Sequence, residues 1–169
     1  MKDKKELSQW FHEILEQHKG ILFKVARAYC QHEDDRQDLF QEICIQVWRS
    51  LHKYNDKYKI STWLYRISIN VAISYYRKNT GRQALNIPLS EHIYQIQEPD
   101  NSEKEHQLML LEQFIGELND LDKALMLLYL EEKSQAEIAE ILGSSVSNVS
   151  TRVGRIKEKL RNRFSQIKT

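Results

Sequence analysis

Lys133-Ser134-Gln135-Ala136-Glu137-Ile138-Ala139-Glu140-Ile141-Leu142-Gly143, followed by Ser144-Ser145-Val146-Ser147-Asn148-Val149, decides the reading of this chain. Ser134 stands three residues before Glu137, the spacing of a capping box, so a helix is expected to start there. Ile138, Ala139, Ile141 and Leu142 then recur at helical spacing. Gly143 is a natural stop, because a residue without a Cβ enters the left-handed conformation freely. Ser144 or Ser145 can cap a second helix. That helix places Val149, Val153, Ile156, Leu160 and Phe164 on one side, in steps of three and four. Ser147, Thr151, Gly154, Arg155 and Glu158 fall opposite. Arg152, Lys157, Lys159, Arg161 and Arg163 lie around or beyond them. This is the pattern of a helix-turn-helix, which sets its second helix in the major groove of DNA. Small polar side chains suit base edges, and flanking cations suit phosphates. A helical hairpin with a solvated basic face would carry the same charges. Cap, glycine, apolar spacing and basic tail agree on DNA binding.

The rest of the chain extends the helical pattern. Its 169 residues allow one or two small domains. Only 5 Gly and 2 Pro are present, and apolar residues recur mostly in steps of three and four rather than alternating. The expected fold is therefore all-α, with two small helical domains. Helices are expected over about 6–17, 21–31, 35–51 and 62–77. Asn79-Thr80-Gly81 is expected to stop the fourth. Both prolines, Pro88 and Pro99, fall in the weakly periodic stretch that follows, which reads as a flexible linker. The expected division is a first domain over 1–80, a linker over 81–103 and a second domain over 104–169. The second opens with Leu108, Leu111, Ile115 and Leu118, then a short apolar helix over 121–130, then the helix-turn-helix. No internal repeat or low-complexity tract is visible.

Composition narrows the function. No apolar stretch is long enough to span a bilayer, and Lys2 to Glu6 do not lead into a secretory apolar core, so a cytoplasmic protein is expected. Cys30 and Cys44 lie in amphipathic segments and are expected as buried thiols rather than a disulfide. A metal-dependent hydrolase could use Cys30, His32, Glu33, Asp34 and Asp35, but these lack a repeated ligand spacing. No H-E-x-x-H or P-loop pattern occurs, and the six histidines are scattered. No catalytic residue, metal or cofactor is expected.

Net charge is only +1, yet its distribution is uneven. Arg49 to Arg82 holds eight cations against Asp56 alone, and Ser150 to Thr169 holds seven against Glu158 alone. Acids gather at Glu33, Asp34, Asp35, Asp38 and Glu42, and again from Glu91 to Glu105. Two separate basic zones imply two contacts with a polyanion.

In the helix expected over 35–51, Leu39, Phe40, Ile43, Cys44, Val47 and Leu51 form an apolar arc. Asp38, Gln41, Glu42, Ile45 and Arg49 lie opposite, with Trp48 at the boundary. An isoleucine among polar and acidic groups points to a protein partner, although single exposed apolar residues are common. Aromatics then alternate with lysines through His52-Lys53-Tyr54-Asn55-Asp56-Lys57-Tyr58-Lys59-Ile60-Ser61-Thr62-Trp63. Seven of the 16 aromatic residues fall between Trp48 and Tyr76, enough for unstacked bases to lie on rings while lysines follow the backbone. Core packing is the alternative use of these rings. Ser61 or Thr62 is expected to cap the next helix, with a core face of Leu64, Ile67, Val71 and Tyr75. Arg66, Asn70, Ile73 and Arg77 face away, suited to a strand lying across that helix.

Together the two halves resemble an RNA polymerase sigma factor of the extracytoplasmic-function (ECF) group of the sigma-70 family. Asp38-Leu39-Phe40-Gln41-Glu42-Ile43-Cys44-Ile45-Gln46-Val47-Trp48 is similar to the polymerase-binding segment of region 2. Ser61-Thr62-Trp63-Leu64-Tyr65-Arg66-Ile67-Ser68-Ile69-Asn70-Val71-Ala72 is similar to the segment that melts the promoter and reads the minus-10 element. The helix-turn-helix is similar to region 4, the reader of the minus-35 element.

The resemblance implies a factor that directs core polymerase to promoters and assists their melting. Asp38, Gln41, Glu42, Ile45 and Trp48 would meet the beta-prime clamp helices, and the second domain would rest near the beta flap. Tyr54, Lys57, Tyr58 and Lys59 would hold a flipped minus-10 base, with Trp63, Arg66, Asn70 and Arg77 nearby. Ser147, Asn148, Ser150, Thr151, Arg152, Arg155, Lys157 and Lys159 would contact minus-35 DNA. The linker would thread through polymerase toward the RNA exit. Tethering makes the second DNA contact intramolecular. An anti-sigma factor is the implied regulator, and the free chain would be a monomer. Ser150 and Gly154 depart from the cation and larger residue common among relatives, so the minus-35 preference does not transfer. The competing reading is a helix-turn-helix regulator whose first domain senses a ligand or partner. It would dimerise and bind duplex DNA only.

Overall fold

The computed structural model describes residues 2–83 and 103–167. These form seven α-helices, with no strand among the described residues. They are α1 (Lys4–Tyr29), α2 (Glu33–Ser50), α3 (Ile60–Gln83), α4 (Glu103–Gly116), α5 (Asp120–Leu130), α6 (Gln135–Leu142) and α7 (Val146–Ile167), with a 3-10 turn over Leu51–Lys53 after α2. Most of the expected linker, residues 84–102, lies outside the described residues.

α1 to α3 build the first domain. Asp3 opens α1 with a capping box: Glu6 N donates to Asp3 Oδ1 at 2.9 Å, and Asp3 N donates to Glu6 Oε2 at 3.1 Å. The two helices expected over 6–17 and 21–31 are one helix of 26 residues. Gly20 falls in the gap expected between them, but it lies on the outer side, where an added Cβ would meet nothing within 4 Å. Ile14, Leu22, Val25, Ala26 and Tyr29 are buried on both sides of it. That packing outweighs the roughly 1 kcal/mol a helical glycine costs.

Leu39, Ile43, Val47 and Leu51 are buried as expected, while Phe40 and Cys44 are half-buried. α3 departs more from expectation. It begins at Ile60, before the caps expected at Ser61 or Thr62, and Trp63 N donates to Lys59 O at 3.1 Å. It also runs through Asn79-Thr80-Gly81 to Gln83. Each of those residues costs only about 1 kcal/mol or less inside a helix already nucleated. Its buried residues include Thr62, Leu64, Tyr65, Ser68, Ile69 and Ala72, whereas Ile67, Val71 and Tyr75 are half-buried. The buried stripe is turned because α3 is covered from two directions: α1 and α2 pack on it, and so does α6 of the second domain.

The second domain closes over Phe114, Ala124, Leu125, Leu128, Ile138, Ile141, Val149, Val153, Ile156 and Leu160, all buried. Phe164 is half-buried and meets Phe114 edge-on, centroids 5.1 Å apart.

The two domains dock through α5 and α6. Lys123 is only 4% exposed, and its Nζ lies 5.3 Å from the Tyr29 ring centroid and 4.9 Å from that of Tyr76. Burial pushes its ammonium below the ordinary lysine value, with Asp120 and Cys30 opposing. Tyr29 donates its hydroxyl to Asp120 O at 2.7 Å. Lys24 pairs with Glu131 at 2.6 Å, and Lys133 sits 5.5 Å from the Tyr65 ring. Burial, then the Glu131 carboxylate, raises the Tyr65 phenol to about 12. Both cysteines are free thiols. Burial first, then Asp35, raises Cys30 to about 11, so it is un-ionised near neutrality.

Candidate nucleic-acid interface

The helix-turn-helix forms through the local signals its sequence contains. Ser134 Oγ accepts from Glu137 N at 3.1 Å and donates to Glu137 Oε1 at 3.2 Å. Gly143 adopts φ 66° and ψ 40°, and Ser144 N donates back to Ala139 O at 2.9 Å. Ser145 caps α7, its Oγ accepting from Asn148 N at 3.1 Å. The cap leaves Ser147, Asn148, Ser150, Thr151 and Arg155 exposed on successive turns, with Lys159 further along.

Several of these groups already have partners. Asn148 Nδ2 donates to Ser144 Oγ at 2.9 Å, and Thr151 Oγ1 donates to Ser147 O at 3.0 Å. Arg152 turns back to Asp122 at 3.4 Å, and Lys157 lies 4.3 Å from the Tyr129 ring centroid. Both cations are half-buried. The freely presented polar face is therefore narrower than the eight residues expected from sequence. Gly154 lies on it with open space before it.

In the first domain, Tyr54, Lys57, Tyr58, Trp63, Arg66 and Asn70 line one open pocket of about 310 Å³. Three further residues, Lys53, Asn55 and Ile67, complete its lining. The loop over 54–59 is internally braced: Tyr54 donates its hydroxyl to Tyr58 O at 2.8 Å, and Lys57 N donates to Asn55 Oδ1 at 3.2 Å. Asp56 turns the chain at φ 60°, a left-handed value uncommon for a non-glycine residue. Tyr58 lies between cations, with Lys57 Nζ 5.5 Å and Arg66 Cζ 5.3 Å from its ring centroid. Tyr54 and Trp63 meet at a tilt, centroids 5.2 Å apart. The result is a concave, cationic, aromatic-walled site of a size that suits a planar base.

Two residues grouped with this site in the sequence stand apart. Lys59 does not line the pocket. Arg77, further along α3, points its Nε to Asp120 Oδ2 of the second domain at 3.4 Å. Lys53 and Asn55 lie in the aromatic and lysine stretch without having been singled out as contacts, and Ile67, expected on the core face of α3, lines the pocket instead. Sequence reasoning missed Trp10 of α1, whose ring lies 5.8 Å from that of Tyr54. No periodicity links positions so far apart.

On α2, Asp38, Gln41, Ile45 and Trp48 are exposed at helical spacing, and Glu42 is half-buried. Ile45 is 43% exposed, and Trp48 is 37% exposed and edge-on to Phe11 at 5.3 Å. Glu42 accepts from Gln46 Nε2 at 3.3 Å. The apolar centre and polar rim of this patch suit a protein surface.

Residues 14–82 match sigma-70 region 2, and residues 108–160 match sigma-70 region 4. RNA polymerase sigma factor SigZ of Bacillus subtilis is 30% identical over 139 residues, spanning 80% of this chain and 78% of that protein. ECF RNA polymerase sigma factor SigW of the same organism is 27% identical over 169 residues, spanning 93% and 90%. The fold matches that of the sigma factor RpoE from Bartonella quintana in its complex with the anti-sigma factor NepR. The TM-score is 0.67 at 18% identity, over 92% of this chain and 96% of that one. The chain belongs to the ECF group of the sigma-70 family, factors that direct core RNA polymerase to promoters.

Proposed function

We propose that this sigma factor divides its work among the three surfaces described. The pocket between the 54–59 loop and α3 takes one unstacked base of the minus-10 non-template strand. Tyr54, Tyr58 and Trp63 supply ring faces, Asn70 a polar contact at the rim, and Lys57 and Arg66 positive charge for the backbone. Lys59 and Arg77 serve flanking phosphates, and Arg77 must leave Asp120 to do so. Ser147, Asn148, Ser150, Thr151 and Arg155 read duplex minus-35 DNA, while Arg152, Lys157 and Lys159 act on the phosphates beside them. The α2 patch of Asp38, Gln41, Glu42, Ile45 and Trp48 docks on the beta-prime clamp helices, and the second domain rests near the beta flap.

The observation that carries this reading is the gathering of Tyr54, Tyr58, Trp63, Arg66 and Asn70 around one pocket. A regulator that bound duplex DNA alone would have no use for it. The factor contributes binding and base flipping rather than catalysis, with domains over 1–80 and 104–169 and a linker over 81–103. It works in the cytoplasm beside polymerase. No helix among the described residues is long and apolar enough to cross a membrane. An anti-sigma factor holds it inactive, and the free chain is a monomer. The RpoE relative in complex with NepR supports that form of control.

In vitro transcription from genomic fragments, with core polymerase alone and with the chain added, tests the proposal. New start sites and a one-to-one complex with core polymerase are expected. Unchanged start sites would leave a stand-alone regulator as the better description.

A further inference from the structure

Residues 54–59 belong to no helix, and Asp56 at their centre holds a left-handed conformation that most side chains avoid. Two hydrogen bonds brace the loop from within, and ring contacts from α1 and α3 hold it from outside. One wall of the pocket, Tyr54, is enclosed by two tryptophans. Trp63 of α3 lies 5.2 Å away on a 53° tilt, and Trp10 of α1 lies 5.8 Å away on a 50° tilt. Lys2 Nζ sits 3.8 Å from the centroid of Trp10. A chain of contacts thus runs from Lys2 through Trp10 and Tyr54 to Trp63. Trp10 also lies before residue 14, where the match to sigma-70 region 2 begins.

We propose that Trp10 is a positioning residue for base selection: from outside the pocket, it holds Tyr54, and through Tyr54 the loop, in the shape that tells one flipped base from another. This rests on the pocket being the minus-10 site. The physical reason is that discrimination requires donors and acceptors fixed before the base arrives. A loop that orders only on binding loses affinity for the preferred base and much of its ability to reject others. Tyr54 depends on Trp10 for this, because its hydroxyl is committed to Tyr58 O and only its ring remains to be clamped.

The test uses full-length Trp10→Ala and Trp10→Leu assembled with core polymerase. The leucine retains apolar bulk without the ring face, so it covers the case in which the alanine variant fails to fold. Wild-type holoenzyme first selects a preferred strand from fork-junction DNA randomised at the minus-10 non-template positions. Affinities for that strand and its single-base variants are then measured by fluorescence anisotropy. Tyr54→Ala and Trp63→Ala serve as references. Both Trp10 variants should bind the preferred strand about 3- to 10-fold more weakly. They should bind the single-base variants nearly as before, so that the preference flattens, and Trp10→Phe should restore it. Affinity for core polymerase should stay within about 2-fold of wild type, as Trp10 is not itself part of the α2 patch and Phe11 keeps its contact with Trp48. An unchanged base profile in both Trp10 variants would overturn the inference. So would an equal loss on every strand, on duplex DNA and on core polymerase, which marks a purely structural role. If the Tyr54 and Trp63 variants lose binding while the Trp10 variants do not, only this inference falls. If none of them loses binding, the minus-10 reading falls with it.

Discussion

The polar face of α7 comes from consecutive turns of one capped helix, whereas the pocket of the first domain is assembled from parts. Tyr54 and Tyr58 come from a loop, Trp63, Arg66 and Asn70 from α3, and support for Tyr54 from α1. A helix face inherits its shape from backbone hydrogen bonds, so a substitution there acts locally. An assembled pocket inherits its shape from contacts between elements, so a distant substitution can reach it. The difference suits the proposed ligands. Duplex DNA offers a regular groove that a straight helix can follow. A flipped base needs a concave site with ring faces.

The most severe challenge to this comparison is at the junction of the two domains. Lys123→Glu would bury a carboxylate between the Tyr29 and Tyr76 rings, near Asp120. An uncompensated buried charge costs about 3–5 kcal/mol. The domains should separate, seen as a larger radius of gyration in small-angle scattering, with helical circular dichroism retained. Since no residue of the second domain lines the pocket, single-strand binding should survive. An unchanged radius would show that docking does not rest on Lys123.

Within the pocket, Trp63→Ala should cost about 1–3 kcal/mol in holoenzyme binding to the minus-10 single strand, the value of one stacked base. Duplex minus-35 binding should not change. Asn70→Ala should likewise weaken promoter opening more than core binding, as followed by permanganate reactivity. Equal losses in both would remove the distinction between the surfaces.

On the helix face, Arg155→Ala should cost about 1–3 kcal/mol at the minus-35 element if it reaches a base edge. The loss should vary with the base placed opposite it in a binding titration. A uniform loss would assign Arg155 to phosphate, and an unchanged footprint would exclude it. The smallest effect is expected from Gly154→Ala. The added methyl enters open space on an exposed turn and should stabilise α7 by about 1 kcal/mol, raising the thermal midpoint. Little change in single-strand binding is expected, since α7 is not part of the pocket.

The parts of the molecule legible in the sequence were those governed by near neighbours. Ser134, Gly143 and Ser145 act over three to five residues, so their caps and turn could be read directly. The apolar steps of α7 predict its buried side from Val149 to Leu160. α3 could not be read in the same way. Its buried stripe is set jointly by α1, α2 and an α6 that lies more than fifty residues away in the chain. Asn79-Thr80-Gly81 looked like a stop because propensity is local, while a helix already nucleated carries past it. For the pocket, clustering of aromatics and lysines after Trp48 marked the loop and α3. Trp10 gave no such signal, since an aromatic on an amphipathic helix is ordinarily core.

The central claim is that one chain, docked on polymerase, reads one promoter with two differently built surfaces. Photocrosslinking within the holoenzyme tests it directly, with benzoylphenylalanine placed singly at Tyr58 and at Thr151. The account predicts that the first captures the non-template strand of the opened minus-10 segment and the second captures duplex DNA at minus-35. Capture of the same segment from both positions, or capture of duplex DNA alone from Tyr58, would contradict it.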